Sequence, residues 1–143
     1  MPELNTALLM FISYRYAETR ILDELVAGGF EGLTLAQARL AARIGPDGTR
    51  LTDLAEQAQI TKQSAGFLVD QLEKTGYVER VPDPTDARAR LVRLASRGLE
   101  VQARAREVER AIEREWRRHL GAERMRALRD ALTALREVTD PYA

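Results

Sequence analysis

Between Ile60 and Val81 the chain runs ITKQSAGFLVDQLEKTGYVERV, and inside that stretch its apolar period changes. Ala65, Leu68, Val69 and Leu72 fall at i, i+3, i+4 and i+7, which is one face of a helix. Thr61 is placed to cap that helix and Gly76 to stop it. From Tyr77 to Val81 the residues alternate apolar and polar as a strand does, and Leu91-Val92-Arg93-Leu94 alternates in the same way. A helix that passes straight into a strand needs a pairing partner for that strand close by. The second run supplies it, so the spacing predicts a β-hairpin. Its connection, Pro82 to Arg90, is polar and carries two prolines, and is expected to form a long unpaired tip.

The residues before this unit complete it. Gly45-Pro46-Asp47-Gly48 is a turn cluster. Thr49-Arg50-Leu51 has room only for a strand stub, after which Thr52 or Asp53 is expected to cap a short helix through Gln59, with Glu56 closing a box on Asp53. Helix, tight turn, helix and hairpin make a winged helix-turn-helix. Around it lie longer helices. One covers residues 4–27 with a stripe including Leu4, Leu8, Phe11, Ile12, Ile21, Leu22, Leu25 and Val26, ended by Gly28-Gly29. Another runs from Thr34 to Ile44. A fifth, with Ser96 as its expected cap, reaches about Leu120 on Val101, Ala105, Val108, Ile112 and Trp116. Gly121 breaks it before a last helix carrying Met125, Leu128, Leu132 and Leu135.

The fold class is therefore mainly α with a small β-hairpin: a winged helix-turn-helix flanked by long N- and C-terminal dimerisation helices. Residues 1–143 form a single domain, with 1–33 and 96–143 as dimerisation helices and 34–95 as the winged lobe. The first and fifth helices each span about 35 Å at 1.5 Å per residue, longer than so small a central unit needs for cover. Their stripes close either on themselves, as a monomeric bundle, or on a second copy. The 3-4-3 spacing of Met125, Leu128, Leu132 and Leu135 is that of a helix–helix seam. With Leu8, Phe11 and Ile12 it favours a homodimer, whose two-fold axis sets two winged lobes side by side.

Composition narrows the chemistry. Without a cysteine there are no disulfides, thiolate nucleophiles or cysteine-held metals, and one histidine, His119, cannot form a cluster and is expected to face solvent. No Gly-rich phosphate loop or zinc motif is present, and no acid, base and nucleophile converge, so neither an enzyme nor a cofactor is expected. The N-terminal segment lacks the asymmetry of a signal peptide and no apolar run approaches the ~20 residues of a membrane span, which points to the cytoplasm and to no membrane partner. Net charge is zero, with 22 basic residues against 22 acidic, so affinity for a polyanion has to come from local segregation.

Such segregation exists. B-DNA's major groove admits one α-helix. Opposite the apolar stripe of the helix from Thr61 stand Gln63, Phe67, Asp70 and Lys74, with Lys62 and Ser64 flanking Gln63 in the first turn. A glutamine amide matches adenine, and an aromatic ring can press on a thymine methyl. Asp70 beside phosphates is repulsive, which limits insertion to the first two turns. From Arg80 to Arg97 the hairpin region holds five arginines (80, 88, 90, 93, 97) against Asp83 and Asp86, a local balance of +3. Double-stranded DNA is the expected partner. A solvated loop on a winged-helix protein-interaction module, with only weak non-specific DNA binding, is the competing reading.

These residues resemble the MarR family (multiple antibiotic resistance regulators). The resemblance is carried by LTDLAEQAQITKQSAGFLVDQLEKTGYVERVPDPTDARARLVRLASRG, residues 51–98, above all LVDQLEKTGYVER and the wing DPTDARARLVRL followed by Gly98. The order and length of the flanking helices agree as well. The resemblance implies a homodimeric transcription regulator that binds a palindromic operator through two recognition helices and two wings. Thr61, Lys62, Gln63, Ser64 and Phe67 would lie on the recognition helix. In the wing, Arg88 would enter the minor groove, Asp86 would shape the turn and Arg90 would stand nearby. It further implies a repressor released by a small aromatic effector, for which Tyr14, Tyr16, Arg39, Arg43 and Trp116 are candidate lining residues. Packing and solvated charge are the plainer account of those five. Phe67 departs from the family pattern, which often has arginine there, and a thiol-based peroxide sensor is excluded by the missing cysteine.

Overall fold

The computed structural model describes residues 2–142, in which six helices and one two-stranded sheet follow in the order α1 (Thr6–Ala27), α2 (Leu35–Ala41), α3 (Leu51–Ala58), α4 (Lys62–Lys74), β1 (Val78–Asp83), β2 (Asp86–Leu94), α5 (Ser96–Leu120) and α6 (Ala122–Thr139). Two compact units divide between residues 105 and 106, and α5 runs through the division. Among the described residues no helix is long and apolar enough to cross a membrane.

The core of the first unit gathers the predicted stripes. Leu25, Leu40, Leu54, Ala65, Val69, Leu72, Tyr77, Val78 and Val92 are buried together, while Leu68 packs against them half-buried. Burying a side chain such as Leu54 stabilises the fold by about 1.5–3 kcal/mol. The helices begin where short polar side chains can take up free backbone N–H groups. Asn5 Oδ1 accepts from the Leu8 N–H at 2.8 Å and Thr61 Oγ1 from the Ser64 N–H at 3.0 Å. At α2, Thr34 and Gln37 cap each other reciprocally, both at 3.2 Å. α2 ends at Ala41 rather than Ile44, because the chain tightens into a turn in which the Arg43 and Ile44 N–H groups go to Leu40 and Ala41. Ile44 stays buried all the same.

Other boundaries differ from the expectation for identifiable reasons. The strand stub is a single bridge, Thr49 to Val92, with both backbone bonds at 2.8 Å. Leu51 already belongs to α3, whose N-cap is Arg50 with no side-chain cap bond, so neither Thr52 nor Asp53 opens the helix. The bridge holds Thr49 in the sheet, and the helix starts as soon as the chain leaves it. Ser96 is likewise the first residue of α5 and not its cap: the Ala95 carbonyl accepts from the Leu99 N–H, and the Ala95 N–H is tied to the Tyr77 carbonyl.

The wing shows the largest difference. Pairing runs from Val78↔Leu94 to Pro82↔Arg90 and closes at Asp83↔Asp86, so most of the expected loop is strand and only Pro84-Thr85 forms the turn. Prolines disfavour the interior of a sheet, but β1 has a neighbour on one side only, and an edge tolerates a missing N–H. The register slips between Pro82 and Asp83, and Arg88 falls in that slip.

In the second unit Val108, Ile112 and Met125 are buried, Arg129 pairs with Glu113, and Gly121 joins the two helices. Leu128 and Trp116 are half-buried, His119 is exposed as expected, and Leu132 and Leu135 stand open to solvent. In the first unit Leu8, Phe11 and Ile12 are also exposed, Phe11 to 50%.

Candidate nucleic-acid interface

Two elements build the site, and both are held from behind. The turn between α3 and α4 is tight because Gln59 takes a left-handed conformation, φ +57°, and its side-chain amide donates to the Glu56 carbonyl at 2.8 Å. Glycine would adopt this backbone freely; a glutamine adopts it here because the Gln59 N–H and the Ile60 N–H still find the carbonyls of Glu56 and Ala55. Thr61 then caps α4, and its hydroxyl also donates to Ser64 Oγ at 2.9 Å. Ser64 is thereby drawn into the cap, while Lys62 and Gln63 project from the first turn, exposed. Ala65, Val69 and Leu72 on the opposite face are buried. Phe67, one turn beyond Gln63, is 62% exposed.

Asp70 is not a bare carboxylate. Arg80 donates to Asp70 Oδ1 and to Glu73 Oε1, each at 2.8 Å, so a wing-base arginine bridges two acids of α4. The repulsion expected of Asp70 is reduced accordingly, and Arg80 is removed from the pool of arginines available to a ligand. Arg93 is likewise occupied, by Glu79 at 2.6 Å. Arg97 lies 4.9 Å over the Tyr77 ring and donates to the Gly29 carbonyl. Of the five arginines in the expected positive patch, Arg88 and Arg90 remain exposed, with no side-chain ion pair among the described residues.

A clamp that the sequence reading did not single out shapes the wing. Asp83 is buried, and both its carboxylate oxygens are engaged. Oδ2 accepts from Arg50 Nε at 2.9 Å and Nη2 at 2.8 Å, and Oδ1 accepts from the Thr85 N–H at 2.8 Å and hydroxyl at 2.7 Å. The Thr85 bonds first, and then the Arg50 guanidinium, hold the Asp83 carboxyl down to about 2. Asp86 repeats the motif: its Oδ1 accepts the Arg88 N–H at 3.0 Å, and Arg50 Nη2 lies 3.8 Å from its Oδ2. Both are carboxylates taking the N–H two residues on, a turn habit of aspartate that Asp-Pro-Thr-Asp announces by its spacing. The partner Arg50, 33 residues upstream of Asp83, carries no such signal.

Two of the five candidate effector residues are brought together by a shared partner. Tyr14 and Arg39 meet on Glu18: the Tyr14 hydroxyl donates to Glu18 at 2.6 Å, and Arg39 grips the same carboxylate with bonds of 2.8 and 2.7 Å. The Arg39 bond holds the Glu18 carboxyl below its usual range against the opposing effect of burial, while burial first and then the Glu18 carboxylate raise the Tyr14 hydroxyl. Tyr16 and Arg43 are exposed, and Trp116 belongs to the second unit.

An exposed capped helix one face of which is buried, beside a clamped hairpin with two free arginines, defines a winged helix-turn-helix protein. The model of the MarR family matches residues 31–89, a stretch that begins before α2 and ends inside the wing. The transcriptional activatory protein BadR of Rhodopseudomonas palustris is 37% identical over 75 residues, and that match spans 50% of this chain but only 43% of BadR. A crystal structure of MarR is 26% identical, with a TM-score of 0.75, over 94% of this chain and 96% of that one. At 18% identity, MepR of S. aureus, solved bound to an oligodeoxyribonucleotide, shares the fold with a TM-score of 0.62 over 93% of this chain and 96% of its own. Residues 31–89 are thus similar in sequence to the MarR family, and over 94% of the chain the fold is that of a solved MarR structure.

Proposed function

We propose that the protein is a homodimeric, sequence-specific DNA-binding regulator that occupies a palindromic operator and represses by occlusion. Residues 34–95 serve as the DNA-binding lobe, and residues 1–33 and 96–143 as dimerisation helices. The observation that carries the reading is the concurrence of exposed Lys62, Gln63 and Phe67 on α4 with the unpaired Arg88 and Arg90 on the wing. The helix supplies side chains that match base edges, and arginines suit the narrow minor groove. MepR, of the same fold, has been solved on DNA.

Exposed Leu8, Phe11 and Ile12 on α1 and, separately, Leu132 and Leu135 on α6 support a second copy as partner, since clustered exposed apolar side chains mark interaction sites. The Tyr14–Glu18–Arg39 cluster supports an aromatic acid as effector: Arg39 already binds a carboxylate in bidentate fashion, and a ligand's carboxylate would replace that of Glu18. BadR is described as an activatory protein, so the direction of regulation is decided by a reporter fused to the operator.

Selection of bound duplexes from random DNA tests the central claim. A palindrome with half-sites about one helical turn apart is the expected product. Recovery of no preferred sequence, with binding that stays weak at low salt, would favour a protein-interaction module instead.

A further inference from the structure

Among the exposed residues of α4, Phe67 is the only hydrocarbon side chain; the others are Lys62, Gln63, Ser64, Asp70, Glu73 and Lys74. It is not a core residue out of place, because the buried face of α4 is already filled by Ala65, Val69 and Leu72. Gln63 precedes it by one turn on the same side of the helix, about 6 Å along the axis. Asp70 follows it and is held by Arg80 at 2.8 Å. The ring thus stands between an amide and a carboxylate whose charge is already met.

The floor of the major groove offers hydrogen-bonding atoms at every base pair and one hydrocarbon group, the C5 methyl of thymine. A phenyl ring pressed on any other edge strips water from a donor or acceptor and returns no hydrogen bond. Pressed on the methyl, it removes water only from carbon. We propose that Phe67 reads a thymine methyl in each operator half-site, one or two base steps from the base that Gln63 addresses, since the spacing of the two side chains covers about that many steps of ~3.4 Å. The inference rests on the DNA-binding reading above and specifies one base within it.

The experiment uses the full chain and the duplex recovered by selection. Each thymine of a half-site is replaced in turn by deoxyuridine, which deletes the methyl and leaves every hydrogen-bonding atom in place. One thymine per half-site is expected to be sensitive, with affinity falling about fourfold for each methyl removed and roughly 16-fold for the symmetric pair. Phe67→Ala, an exposed substitution, should erase that difference, binding thymine and deoxyuridine duplexes alike, while Phe67→Leu keeps part of it. Wild-type protein indifferent to every deoxyuridine, or a Phe67→Ala variant with the wild-type sensitivity, overturns the proposal and leaves DNA binding standing. Failure to select any duplex overturns the DNA-binding reading itself, and this inference with it.

Discussion

Arg50 and Asp83 meet across 33 residues of chain, with two nitrogens of one guanidinium on a single carboxylate oxygen at 2.9 and 2.8 Å. The pair ties the start of α3 to the outer end of β1, so the helix-turn-helix and the wing share a fixed geometry. Arg50→Ala is expected to leave helix content unchanged and to lower operator affinity by loosening the wing. Circular dichroism and a binding titration check the two halves separately. Unchanged affinity would mean that Thr85 alone suffices to hold Asp83.

The same carboxylate predicts a pH dependence. The folded protein holds Asp83 at about 2, below its ordinary 3.8, so its contribution to stability is complete above that ordinary value and is lost as the pH falls through about 2. Asp83→Asn removes this component. Urea midpoints of wild type and variant should therefore converge as the pH falls through that window, and a constant difference would assign the stabilisation to something other than the ionised carboxylate.

Gly98 lies in the first turn of α5, where an added Cβ would run into the Tyr77 carbonyl oxygen. That carbonyl is itself fixed by the Ala95 N–H at 3.0 Å. Helix propensity alone predicts that alanine gains about 1 kcal/mol over glycine. Overpacking costs about 1–3 kcal/mol and here meets backbone, which cannot swing aside. Gly98→Ala should lower the Tm, and a Tm equal to or above wild type would show that α5 can shift away from Tyr77.

The wing arginines should not be equivalent. Arg88→Ala and Arg90→Ala each remove an unpaired cation, and each is expected to weaken operator binding and reduce the salt dependence by about one counterion per wing. Arg93→Ala removes a cation already paired with Glu79 and should have a much smaller effect. Equal losses for all three would reduce the wing to a general basic patch.

Dimerisation predicts a sedimenting species of twice the chain mass at micromolar concentration. Leu132→Asp together with Leu135→Asp should convert it to monomer with helicity largely retained. A wild-type monomer would sink the two-copy arrangement and with it the paired half-sites.

Helix positions were legible because their causes are local. Thr61 acts on an N–H group three residues away, and the apolar stripe of α4 is a property of thirteen consecutive residues. The wing was legible only in part. Pro82 argued for a loop by the rule for sheet interiors, whereas the ribbon gives β1 a free edge that the sequence does not display. Charge was least legible of all. The five arginines look alike in sequence, and partners such as Asp70, ten positions from Arg80, and Glu79, fourteen from Arg93, decide which are spent within the fold. A count of charges along the chain cannot contain that information, because it depends on which residues the hairpin brings face to face.

Gln37 is buried, and its side-chain amide is used at both ends: the oxygen accepts the Thr34 N–H, and the nitrogen donates to Gln71 Oε1 on α4 at 3.1 Å. Sliding α4 by one residue would carry Gln71 about 1.5 Å along the axis and about 100° around it. The Gln37 nitrogen would then be orphaned inside the protein at a cost of about 1–3 kcal/mol. This amide pair acts as an index pin: it sets the roll of α4 about its own axis, and so determines which side chains the helix turns outward.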